Sequence, residues 1–183
     1  MESKEQFKAI FELIKRPGKE RLLEYIENTD FFEAPASTKF HGAYEGGLVE
    51  HSINVFNRMK KHQQHSLETL AIVSLLHDLC KADFYTVDYK NVKQPNGTWT
   101  KAPYYAVKDQ LPIGNHGDKS VFIVLGFIQL SPEEIAAIRY HMGAFQEGDK
   151  NNLGNVYEKY PLAMLLHTAD MEATHLDESR DKQ

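Results

Sequence analysis

Between residues 67 and 81 the chain is apolar almost all round, through Leu70, Ala71, Ile72, Val73, Leu75, Leu76 and Leu79, yet His77 and Asp78 stand side by side in that run. An unpaired carboxylate in such surroundings costs several kcal/mol, so it requires a compensating partner. Lys81, one turn on, is one candidate. A divalent metal compensates better and takes both His and Asp as ligands. The anomaly recurs on three further apolar helical faces: His51 precedes Val55 by four residues, His141 follows Ala137 by four, and Asp170 follows Leu166 by four. His116, in Gly114-Asn115-His116-Gly117-Asp118, is a fifth source of a ligand. Any one of these histidines alone reads as a hydrogen-bonded core residue. Together, His51, His77, Asp78 and Asp170 supply two imidazoles and two carboxylates from three helices, the mixed nitrogen and oxygen set with which bundles hold transition metals.

The elements that must position these groups follow from periodicity. Phe7, Ile10, Phe11 and Ile14, then Leu22, Leu23 and Ile26 beyond Pro17-Gly18, predict two short helices within residues 1–40. Residues 30–46 read as a loop, and a helix over 47–62 carries Leu48, His51, Val55 and Met59 on one face. The run 67–81 predicts a helix buried in the middle of a bundle. The period then changes to two in Phe84-Tyr85-Thr86-Val87-Asp88-Tyr89, and with Asn96-Gly97 followed by Trp99 to Val107 this predicts a β-hairpin over 84–108. Helices are expected again at 118–129, at 132–142 behind a Ser131/Glu134 capping box, and at 157–177, where Pro161 is tolerable only near the true start. The expected fold is mainly α, a helical bundle in one domain over 1–183 with one inserted hairpin.

Composition narrows the partners. Lys and Arg number 21 against 26 Asp and Glu, a net charge of −5, so a broad cationic surface for long nucleic acid is not expected. No stretch approaches a membrane span, and Met1-Glu2-Ser3-Lys4-Glu5 has no apolar signal core, which predicts a cytoplasmic protein. The single cysteine, Cys80, fits a reducing compartment and is expected in the core.

The ligand pattern resembles that of the HD-domain metal-dependent phosphohydrolases, whose histidine, His-Asp pair and distant aspartate are matched by His51, His77-Asp78 and Asp170. The resemblance spans about residues 40–177 and includes Gly46-Gly47-Leu48-Val49-Glu50-His51-Ser52 and His77-Asp78-Leu79-Cys80-Lys81. His116 and His141 occupy the places of the two extra histidines of that family's binuclear branch. The resemblance implies an HD-type fold and two divalent transition metals per chain, Mn, Fe, Co or Ni, with Mg an alternative. His51, His77, Asp78 and Asp170 would hold one, and Asp78 would bridge to a second held by His116 and His141. Such a pair activates a hydroxide and clamps phosphoryl oxygens, with Lys81 assisting the phosphate charge. The implied activity is hydrolysis of a phosphate ester or anhydride in a small phosphorylated substrate, a nucleotide or short oligonucleotide. HD-type di-iron oxygenases share almost the same ligand set, and a non-catalytic nucleotide-binding module is a further alternative.

Other residues take lesser readings. His62, His65 and His175 read as surface groups, His167, one turn before Asp170, as a partner behind that ligand, and His41 as a group approaching the site from the loop before it. The hairpin gathers aromatics with Lys90, Lys93 and Lys101, which suits a wall or lid that stacks a base and attracts phosphate.

Overall fold

A computed structural model describes residues 2–62, 64–108 and 113–178. Two short amphipathic helices, α1 (Ser3–Phe11) and α2 (Lys19–Glu27), bury Phe7, Ile10, Phe11, Leu22 and Ile26 against the rest of the bundle. Helix α3 (Gly47–Met59) buries His51 together with Leu48, Val55 and Met59. Helix α4 (Leu67–Leu76) is capped by Ser66, whose Oγ accepts from the Thr69 N–H, and every side chain from Leu70 to Leu76 is buried. It packs beside α3 and α1 and touches the later helix α6 (Pro132–Tyr140).

Helix α4 stops at Leu76, five residues before the expected end. His77 caps it, Asp78 leaves helical geometry at φ −109° and ψ 18°, and Leu79–Lys81 form a 3₁₀ turn. The His77 ring stabilises this end, since its Nδ1 hydrogen-bonds the Ser74 carbonyl at 2.9 Å and so satisfies one of the orphan acceptors. In a continuous helix adjacent side chains point about 100° apart. Breaking the helix between His77 and Asp78 allows both to reach one centre.

The hairpin forms as expected. Strands β1 (Tyr85–Lys93) and β2 (Trp99–Val107) pair antiparallel from Tyr85↔Val107 to Lys93↔Trp99, closed by a turn in which Gly97 has φ 84°. Only its root is well buried: Tyr85 packs near residues 30–36, with its hydroxyl 3.4 Å from the Ala36 carbonyl.

Helix α5 (His116–Leu125) starts two residues earlier than expected, because Asn115 and Asp118 form a complete capping box. Helix α6 carries the expected Ser131/Glu134 box, with Pro132 in its first turn. The expected last helix is two: α7 (Leu153–Lys159) and α8 (Pro161–Glu172), followed by a π-turn at Ala173–Asp177. Pro161 opens α8 and forces Tyr160 out of helical geometry, to φ −132° and ψ 77°. One cluster of buried apolar side chains runs through α1–α6 and α8. Cys80 is only partly buried, on the 3₁₀ turn rather than in the core.

Candidate metal centre

Five helices deliver the candidate ligating groups. His51 comes from the middle of α3, His116 from the first turn of α5, and Asp170 from the last turn of α8. His77 and His141 occupy equivalent positions, each capping the C-terminus of its helix, with Nδ1 bonded to the carbonyl three residues back: Ser74 at 2.9 Å and Ile138 at 2.7 Å. A carbonyl only accepts, so Nδ1 carries the proton in both rings and Nε2 holds the lone pair of the neutral form. His51 is fixed in the same sense, since its Nδ1 donates to the Glu178 carboxylate at 2.9 Å.

These nitrogens converge on Asp78. His51 Nε2 lies 3.2 Å from His77 Nε2 and 3.2 Å from Asp170 Oδ1, while His77 Nε2 lies 3.4 Å and His51 Nε2 3.9 Å from Asp78 Oδ2. On the other side, His116 Nε2 and His141 Nε2 are 3.0 Å apart, and each is 3.6 Å from Asp78 Oδ1. The two oxygens of one buried carboxylate thus face two clusters, His51/His77/Asp78 and Asp78/His116/His141. An ion with bonds of about 2.0–2.2 Å sets neighbouring ligand atoms about 2.8–3.6 Å apart at octahedral or tetrahedral angles. Most of the observed spacings fall in that range. Asp78 Oδ1 is buried without a hydrogen bond among the described residues, as an oxygen reserved for a cation would be. The residues therefore fit divalent metal ions.

The electrostatics agree. Burial works against the charged form of Asp78, but Lys81 and His77 hold its carboxyl well below the usual range. Asp170 is likewise depressed, burial being outweighed by its hydrogen bond to His51. Burial disfavours a second proton on His51, yet Asp170 and Glu178 push it up to about 10, and Asp78 raises His141 against the same penalty. Burial pushes His116 down to about 3, with His141 adding to the shift. The surrounding carboxylates thus favour the protonated form of one imidazole in each cluster, His51 and His141.

Lys81 Nζ donates to Asp78 Oδ2 at 2.7 Å and to the Ala36 carbonyl at 2.9 Å, and it lines a cavity of about 360 Å³ above the carboxylate. Phe40, Met142, Phe145 and Met171 form the apolar part of its wall. His41 lines it too, its ring 4.8 Å from that of His51, and burial pushes it down to about 4. His167 bonds the His141 carbonyl at 2.6 Å and so supports that residue from behind, whereas His175 is exposed at the cavity mouth. Lys90, Lys93 and Lys101 do not line the cavity. The first strand leaves beside Lys81 but carries these lysines out along an exposed ribbon, so the expected wall is made by residues 40, 142, 145 and 171 instead.

Two supports gave no signal in the sequence. Glu178 is buried, accepts from His51 and from Asn54 Nδ2 at 3.2 Å, and is held by the π-turn, which Arg58 ties to α3 through Asp177 at 2.5 Å and Glu172 at 3.3 Å. Arg139 on α6 pairs with Asp149 at 2.6 and 3.0 Å and with Asp118 in the first turn of α5. It thereby fixes the helix start that carries His116 against the helix end that carries His141.

No family model matches this chain, and no curated protein or solved structure does either.

Proposed function

We propose that the chain is an HD-type phosphohydrolase that cleaves a phosphate ester or anhydride of a small substrate at a centre of two divalent metals. The observation that carries this reading is the division of one buried carboxylate, Asp78, between two sets of imidazole nitrogens. His51, His77, Asp78 and Asp170 would hold one ion, and Asp78, His116 and His141 the other. Ions so placed supply Lewis acidity to a phosphoryl oxygen and lower the pKa of a coordinated water.

The chain's own groups do the rest. The Ser74, Ile138 and Glu178 acceptors keep Nε2 of His77, His141 and His51 turned to the centre. Lys81 uses two of its three ammonium hydrogens on Asp78 and Ala36, and the third is available to a phosphoryl oxygen in the cavity. Among the described residues it is the only Lys or Arg in the cavity wall, which suits a substrate with one or two phosphoryl groups more than an extended polyanion. The apolar wall excludes water and accommodates an apolar or aromatic body such as a nucleobase.

The test is a nucleotide and phosphomonoester panel with protein loaded with Mn²⁺, Co²⁺ or Fe²⁺. Release of phosphate, pyrophosphate or nucleoside monophosphate that chelation stops and metal restores is expected. Absence of hydrolysis across the panel, with consumption of O₂ by the reduced iron form, would replace this reading with the di-iron oxygenase.

A further inference from the structure

The hairpin segregates its side chains by face. From the register, Tyr89, Asn91 and Lys93 share one face with Pro103, Lys101 and Trp99, while Asp88, Lys90 and Tyr104 lie on the other. Asp88, the single carboxylate of the two strands, is occupied there by the Tyr104 hydroxyl at 3.2 Å, beneath Lys90, which sits over the Tyr104 ring. The first face therefore carries cations and aromatics with no acid of its own. Toward the root, Val87 and Tyr105 approach Asp30 and Glu33. The distal rows, Lys93/Trp99, Asn91/Lys101 and Tyr89/Pro103, are exposed, Trp99 by 66% and Tyr89 by 62%. Trp99 and Tyr89 lie about 14 Å apart along the ribbon, four residues in register, with Lys101 between them.

We infer that this distal face binds single-stranded nucleic acid, two bases stacking on Trp99 and Tyr89 while Lys101 between them and Lys93 beside Trp99 meet the backbone phosphates. Large exposed rings on a two-stranded ribbon that, among the described residues, is well buried only at its root bury too little to be explained by folding. Aromatic and cationic side chains alternating along one face are the chemistry of sequence-tolerant single-strand binding. A second copy of the same face is disfavoured, because it would set Lys93 and Lys101 against their own counterparts. The inference does not depend on the hydrolase reading, because none of these residues lines the metal cavity.

The experiment measures anisotropy of labelled dT₁₂ and U₁₂ against the full chain, together with fluorescence of Trp99, the chain's single tryptophan. Quenching with saturable binding is expected. With two phosphate contacts, affinity should fall about sevenfold from 50 to 200 mM salt, given a slope of about 0.7 per contact on single strands. Trp99→Ala or Tyr89→Ala should weaken binding at least fivefold, and Lys93→Gln with Lys101→Gln should flatten the salt dependence. Lys90→Gln, on the opposite face, should change neither. Unaltered circular dichroism confirms that each variant is folded, and Trp99→Phe should retain most of the binding. The inference is overturned by absence of binding at 50 mM salt, by binding indifferent to these substitutions, or by sedimentation showing a dimer that Trp99→Ala dissolves without any uptake of oligonucleotide.

Discussion

Glu178 accepts the Nδ1 proton of His51 at 2.9 Å and leaves its other oxygen, Oε2, buried without a partner among the described residues. The carboxylate fixes the tautomer that turns His51 Nε2 toward Asp78 and Asp170, and makes that nitrogen a stronger donor to a cation. Glu178→Ala should lower affinity at the His51/His77/Asp170 cluster by about 10- to 100-fold. Glu178→Gln, whose amide oxygen can still accept from Nδ1, should recover part of the loss. Calorimetric Mn²⁺ titration of the three proteins measures this, and equal affinities would remove the orienting role of Glu178.

Metal uptake should be coupled to proton release. His51 is held at about 10 in the metal-free fold, against 6.5 for the free side chain, so it is doubly protonated from pH 7 to 9 and must lose a proton to bind an ion through Nε2. His116, pushed down to about 3, is already neutral and adds no proton. Apparent affinity at the His51 cluster should therefore rise about tenfold per pH unit across that window. Titrations in buffers of different ionisation enthalpy count the protons. A flat pH dependence would place the cation elsewhere.

Much of this site could be read in the sequence because its ligands interrupt apolar faces. His51, His77, Asp78, His141 and Asp170 stand among residues that must be buried, and a buried ionisable group needs a reason. The hairpin was equally clear, since a change of period and Asn96-Gly97 mark it. Glu178 was not, because it lies in the acid-rich polar end of the chain and becomes buried only when the π-turn folds back on α3. Arg139, Asp118 and Asp149 look like ordinary surface charges until three separate segments meet. The end of α4 at Leu76 was hidden for a different reason: helical propensity continues through Leu79, and a tertiary demand on Asp78 overrides it.

Gly143 has φ 55°, and a Cβ there would lie 2.7 Å from His167 Cε1, the ring that bonds the His141 carbonyl. Gly143→Ala should cost about 1–3 kcal/mol through backbone strain and that overlap. It should also weaken the His141 cluster more than the His51 cluster. Thermal unfolding with and without Mn²⁺ separates the two effects, and an unchanged Tm in both conditions would contradict the close packing at this turn.

The sharing of Asp78 between two cations is tested most directly by counting metal. After anaerobic loading with Mn²⁺ and removal of free ion, elemental analysis should give about two ions per chain in the unaltered protein, about one in His141→Ala, and none in Asp78→Asn, all three retaining the same circular dichroism spectrum. A reproducible ceiling of one ion in the unaltered protein, or full occupancy in Asp78→Asn, would contradict the shared carboxylate.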